Sequence, residues 1–220
     1  MPLARPLGLA QIEAATRIYQ GMRQWTTADE ALAELAVRFP DWGPLDSLLK
    51  VVAINSLYGT NVWAFSRMAE HVQGVMADTD LPTAGPELVD RIAAMPAAGG
   101  GGAPRRHISF ASKLAHFNLD PDRFPIYDSY SREMLRYHLG RKDWTWDWEQ
   151  PYQSFCTLYG RLGELAGLRV SNRALDRYLY LAGQLKHWLK NQNAPLSREV
   201  RIAFRNPELA GDLKRLGVQL

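Results

Sequence analysis

Cysteine is almost missing from this chain: Cys156 stands alone among 220 residues. That excludes internal disulfides and any four-cysteine iron–sulfur or zinc site. Long apolar runs are missing as well, since none approaches the ~20 residues that cross a bilayer. The opening residues MPLARPLGLA hold one arginine and a short apolar stub, so no secretory signal and no membrane partner are expected. No stretch shows a convincing strand alternation. A phosphate-binding loop, a dinucleotide fingerprint and a serine nucleophile elbow are all absent, and the GGGG run lacks the lysine and hydroxyl that a nucleotide loop needs. The five histidines (71, 107, 116, 138 and 187) share no metal-ligand spacing with carboxylates or with Cys156. Neither a metal nor a cofactor is therefore expected, and a reducing cytoplasmic setting is.

What remains is ordinary in amount. A hydrophobic share of 46% and a charged share of 22% suit a globular chain long enough for one sizeable core or for two small helical lobes. The net charge of +3 fits a polyanionic partner without demanding one. Helical periodicity dominates. Leu9, Ile12, Ala15 and Ile18 mark a first helix, and Thr27 is expected to cap a second over 28–39, stopped by Pro40. The nearly apolar run 45–57 predicts a helix buried on most sides, and 61–76 resumes after the interruption Tyr58-Gly59-Thr60. Further helices are expected over 83–95, 151–165, 171–189 and 197–216, the last broken near Asn206-Pro207, with a Trp-rich loop at 140–150. The chain reads as all-α with about ten helices.

The stretch RRHISFASKLAHFNLDPDRFPIYDSYSREMLRYH, residues 105–138, carries most chemical information. Phe110, Leu114 and Phe117 recur at i, i+4, i+7 and predict a core-facing stripe. Ser109, Lys113 and His116 fall on another face, which must see solvent, a cavity or a ligand. A Pro-containing turn over 124–127 then leads to Asp128, placed to open the next helix as an N-cap. Arg105, Arg106 and His107 follow the glycine run, where cations and backbone N–H groups meet phosphates. Lys113 also reads as a solvated lysine on an amphipathic helix, Asp128 as a cap alone, and the arginines as an ordinary charged loop.

Two segments resemble the helix–hairpin–helix DNA glycosylases, and within them the 8-oxoguanine DNA glycosylase branch. INSLYGTNVWAFSRMAEHV, residues 54–72, is similar to the family's helix–tight turn–helix, with Tyr58, Gly59, Thr60 and Asn61 in the turn that fills the space of an extruded base. The 105–138 stretch is similar to the family's hairpin, catalytic-lysine helix and loop ending in aspartate. Two features depart from the pattern. GGGGAPRRHIS replaces the usual Leu-Pro-Gly-Val-Gly hairpin, and the position the family gives its lysine is Ser109 here, one helical turn before Lys113. The resemblance implies a two-lobed helical bundle with a cleft between lobes, approximately 45–139 against 1–44 plus 140–220 within one unit of 1–220. It also implies a monomer acting on double-stranded DNA that holds a damaged or modified base, an oxidised purine such as 8-oxoguanine above all.

In that comparison Lys113 is the nucleophile and Asp128 stabilises the positive charge that grows on the deoxyribose. Attack at C1′ releases the base and leaves a Schiff base, which permits strand cleavage. A neutral amine is required, so burial would have to lower the lysine from its ordinary ~10.4. His116 would assist proton transfer or contact a phosphate, or pack as a structural histidine. Asp176 and Tyr180 are i, i+4 in RALDRYLYLAGQLKHWLK, and an acid with a ring at that spacing suits a base edge and a base face; core packing is the competing role for Tyr180. Trp144, Trp146 and Trp148 suit a stacking platform, though core plugs are the commoner fate and the expected one. Two other outcomes stay open: a glycosylase in which Asp128 activates water, and a catalytically silent DNA-binding or interaction module.

Overall fold

Capping residues, glycines and prolines set where each helix starts and stops. The computed structural model describes residues 2–97, 106–142 and 144–219. Among the described residues the chain is all-α, without a strand. Its helices are α1 (Leu9–Gln20), α2 (Arg23–Arg38), α3 (Pro44–Tyr58), α4 (Phe65–Ala77), α5 (Glu87–Ala93), α6 (Ile108–Asn118), α7 (Ser129–Leu139), α8 (Pro151–Ala166), α9 (Asn172–Lys190), α10 (Arg198–Arg205) and α11 (Ala210–Arg215). A 3₁₀ turn, Pro207–Leu209, separates the last two at the expected break. No helix among the described residues is long and apolar enough to cross a membrane.

Three boundaries differ from the sequence reading. Thr27 does not cap α2, because the helix is already under way: Thr26 N–H donates to Met22 O at 3.0 Å. Helix α4 begins at Phe65 rather than at 61, because Asn61 takes a left-handed φ of 57° that no helix can include. The 83–95 segment shortens to α5, with Pro86 as its N-cap. The glycine run expected as a connector lies outside the described residues.

The chain divides into two compact units: Met1–Thr27, Asp128–Thr145 and Thr157–Leu220 form the first, Ala28–Tyr127 and Trp146–Cys156 the second. In the first unit α9 packs against α7 and α1, and α1 packs against α11. Ile12, Ile18, Leu135, Leu139, Tyr178, Leu179 and Ala182 are buried there. Helices α7 and α9 approach closely at Gly183, where a Cβ would lie 2.7 Å from Tyr130 Cβ and 2.9 Å from its carbonyl oxygen. Buried His138 links Arg5 O (Nδ1, 2.9 Å) to the Tyr178 hydroxyl (Nε2, 2.9 Å), and that hydroxyl also lies 3.3 Å from Leu216 O. Both ends of the described chain are thus tied to the α7–α9 pair.

In the second unit α3 packs against α4 and α6, and α5 against α4 and α6, around Val51, Ile54, Met68, Val72, Ile92, Phe110 and Leu114. Asp90 of α5 reaches the start of α8, accepting Tyr152 N–H at 3.1 Å and Gln153 N–H at 3.2 Å. Burial raises the Asp90 pKa, and those two donors act against the rise.

Candidate functional site

Helix α6 is buried on most of its circumference, from Phe110 through His116. Lys113 is 5% exposed, so the solvated reading of this lysine is excluded. Its ammonium donates to Ser109 Oγ at 2.7 Å and Ser109 O at 3.3 Å, one turn back, and lies 5.8 Å from the centre of the Tyr58 ring. Tyr58 is itself fixed: its hydroxyl donates to Asp29 Oδ1 at 2.5 Å and its ring centre is 5.4 Å from that of Phe117. Tyr58 therefore walls the lysine rather than projecting from its turn as an inserted wedge.

The segment leading to Asp128 is fastened to the same helix. Tyr127 N–H donates to Ser112 Oγ at 3.0 Å, His116 Nδ1 lies 3.0 Å from Phe124 O, and the Tyr152 hydroxyl donates to Pro125 O at 2.8 Å. Asp120 closes the turn by accepting Asp122 N–H at 2.8 Å. His116, 2% exposed, is a packed residue of this fastening, and burial withholds its ring from an external phosphate. Arg106 is exposed and donates to the Glu149 carbonyl. Arg105 lies outside the described residues.

The turn after α3 owes its shape to one side chain. Asn55 Oδ1 accepts Thr60 Oγ1–H at 2.9 Å and Val62 N–H at 2.8 Å, while Gly59 and Asn61 both take φ of 57°. Val62 is buried; Asn61 is exposed, and Trp63 is 79% exposed. Beside the expected Gly59 and Asn61 this turn thus offers Trp63 outward, which the sequence reading passed over. Trp148 is 73% exposed, against the expected core plug.

In the first unit Asp128 caps α7, its Oδ1 accepting Ser131 N–H at 2.8 Å. Tyr180 of α9 lies within electrostatic reach of Asp128 and is surrounded by Tyr130 of α7, Gln184 of α9 and Trp25 of α2. The Tyr180 ring centre is 4.9 Å from that of Trp25 and 5.7 Å from that of Tyr130. Burial raises the Tyr180 pKa; the negative charge of Asp128 and then Tyr130 push it further, and the Gln184 amide pulls it back. Burial and the charges of Asp128 and Glu133 likewise raise Tyr130. Gln184 is 2% exposed, faces the Tyr180 hydroxyl, and forms no hydrogen bond of ordinary geometry through Nε2. Ser131 Oγ, on a residue 1% exposed, has no hydrogen-bond partner among the described residues. Asp176, at 5% exposure, is buried on α9.

Of the expected residues, the second unit brings Tyr58 and Lys113 together, and the first places Asp128 within electrostatic reach of Tyr180. Trp25, Tyr130, Ser131 and Gln184 were missed. Only Gln184 had a sequence signal, as the one carboxamide in an otherwise apolar run at i+4 from Tyr180. A second buried lysine, Lys50, was missed too: it is 1% exposed, donates to Asp41 O at 2.7 Å and sits 3.8 Å from the Trp42 ring centre. Burial lowers its pKa, against the charges of Asp46 and Asp41. Among the described residues no cluster of His, Cys, Asp and Glu is arranged to hold a metal.

Residues 11–123 match the family described as HI_0787_N, an N-terminal domain, over half of the chain. The chain belongs to the HI_0787_N family. An uncharacterized protein of Haemophilus influenzae (strain ATCC 51907 / DSM 11121 / KW20 / Rd) is 36% identical over 85 residues, which are 38% of this chain and 40% of that relative. The chain thus matches about two fifths of that relative's length. No solved structure matches. The HI_0787_N segment spans α1 to α6, with Tyr58, Lys50 and Lys113, and stops short of Asp128.

Proposed function

We propose that this chain is a DNA glycosylase of the two-lobed helix–hairpin–helix type, acting as a monomer on double-stranded DNA in the cytoplasm. It removes an oxidised purine such as 8-oxoguanine and cleaves the strand through a lysine Schiff base. One observation carries this reading. Lys113 is 5% exposed on α6, and the turn of that helix which holds it also holds Tyr127, the residue before Asp128, through Ser112.

The chemistry assigns each group one task. The Lys113 amine, once neutral, attacks C1′ as the glycosidic bond breaks, and the base leaves with its bonding electrons and takes up a proton. Ring opening gives an imine between Nζ and C1′; loss of a C2′ proton then expels the 3′ phosphate, and water frees the lysine. Asp128 stabilises the positive charge that builds on the sugar. An extruded base must be unstacked and read. The Trp25–Tyr180 ring pair and the Gln184 amide that faces Tyr180 supply faces for stacking and a donor for a base edge.

Borohydride trapping tests this on duplexes holding 8-oxoguanine or an abasic site. The wild-type protein should give a covalent adduct with both, Lys113→Gln with neither, and Lys50→Met with both. Asp128→Asn should slow base release by about 100-fold or more. Base release that persists in Lys113→Gln and vanishes in Asp128→Asn would replace the lysine with water activated by Asp128. No adduct and no release by wild type from either duplex would overturn the reading.

A further inference from the structure

The two units differ sharply in charge. The first holds 18 Lys and Arg against 9 Asp and Glu, a net +9; the second holds 8 against 14, a net −6. The modest overall charge of +3 conceals both. Within the first unit three of the cations, Arg198, Arg201 and Arg205, lie on α10. Ser197 caps this helix by accepting Val200 N–H at 3.3 Å. Val200, Ala203 and Phe204 are buried, while Arg198, Arg201, Ile202 and Arg205 are exposed on the opposite side. At 100° per residue these four fall within one narrow sector, and the helix's own acid, Glu199, lies off it and accepts Gln24 N–H at 2.9 Å. The Arg205 guanidinium is steadied over the Trp188 ring, 5.2 Å from its centre.

We infer that the Arg198–Arg201–Arg205 face of α10 binds the phosphate backbone of duplex DNA. The inference rests on the proposed function for the identity of the polyanion but not for the chemistry. Three guanidiniums at i, i+3 and i+7 cover about 10 Å along the helix, roughly three base-pair steps of one strand. Arginine, rather than lysine, suits phosphate because its planar fork donates two hydrogen bonds at once. An anionic membrane fits less well. A helix lying in a lipid interface turns a broad apolar face outward, whereas the apolar residues of α10 are buried in the protein and Ile202 alone, 60% exposed, shares the arginine face.

The test is fluorescence anisotropy of a labelled, undamaged 20-base-pair duplex over a series of KCl concentrations. Substituting Gln for Arg198, Arg201 and Arg205 together should reduce the magnitude of the log K against log[KCl] slope by about 2.7, three phosphate contacts at ~0.9 each. The Arg-to-Lys triple variant should keep most of the slope. Arg38→Gln, at an exposed site of the second unit, should leave it unchanged. Abasic-site trapping at low salt and saturating protein should stay within about twofold of wild type in the Gln triple variant. An unaltered slope in that variant overturns the inference, as does binding to vesicles of 30% phosphatidylserine that the triple substitution abolishes while duplex binding persists. Should wild type bind duplex with the expected slope yet trap nothing, the chemistry fails and the α10 surface stands.

Discussion

At Gln184 a carboxamide is 2% exposed, and among the described residues its Nε2 meets only the Tyr180 hydroxyl, outside ordinary hydrogen-bond geometry. Burying a donor so poorly met costs up to roughly 1–3 kcal/mol, and a fold selected for stability alone would place methionine or leucine there. Gln184→Met should therefore raise stability by about 1 kcal/mol in urea denaturation. The same change should reduce 8-oxoguanine release by at least about 10-fold while leaving abasic-site trapping intact, because only the first requires a base to be read. Unchanged release would remove Gln184 from recognition. Lys113 and Asp128 stood out in the sequence because both sit at positions fixed by local rules, one on a periodic helix and the other before a helix start. The cluster around Tyr180 could not be seen, since Trp25, Tyr130 and Gln184 reach it only once α2, α7 and α9 have packed.

Among the helices, periodicity and caps carried the reading well. Asp128 caps a helix as expected, and the runs expected from 45, 171 and 197 begin within one residue of α3, α9 and α10. The misses fall where a tertiary or unusual local contact decides. The start of α4 was misplaced because Asn55, from the preceding helix, holds Thr60 and Val62 in a non-helical turn. Glycines show the same division between local and tertiary causes. Gly74 is exposed in α4 and a Cβ there meets nothing within 4 Å, so Gly74→Ala should stabilise by about 0.5–1 kcal/mol through helix propensity. At Gly183 the new Cβ would strike Tyr130 main-chain atoms at 2.9 and 3.0 Å, contacts that a side-chain rotation cannot relieve. Gly183→Ala should destabilise by about 1–3 kcal/mol, read from thermal or urea midpoints. Equal effects at the two sites would mean that α7 and α9 do not approach as described.

For the molecule as a whole, acid and alkali act on one buried pair in the first unit. Burial lowers the His138 pKa below its ordinary value, with the bond to Arg5 O opposing. The unfolded chain therefore binds the proton more readily, and the pair's contribution is complete above about pH 6.5 and lost as pH falls below it. Burial raises Tyr178 above its ordinary 10, so its contribution is complete below that pH and lost above it. Urea denaturation from pH 4 to 11 should show a plateau between these limits, and His138→Gln should flatten the acid side; an acid limb unchanged in that variant would assign it elsewhere. This coupling was invisible in the sequence, because 133 residues separate Arg5 from His138. The opposed charges of the two units were equally hidden, since they nearly cancel in the total. Trp63, finally, leaves its indole in water on a turn that Asn55 clamps from inside. Of seven tryptophans, only it and Trp148 are mostly exposed, so light emitted at the red end of the protein's fluorescence comes mainly from these two. Dissolved iodide dims them in the free protein, and whatever settles over the turn shades Trp63 from it: the chain was built with its own optical gauge of contact.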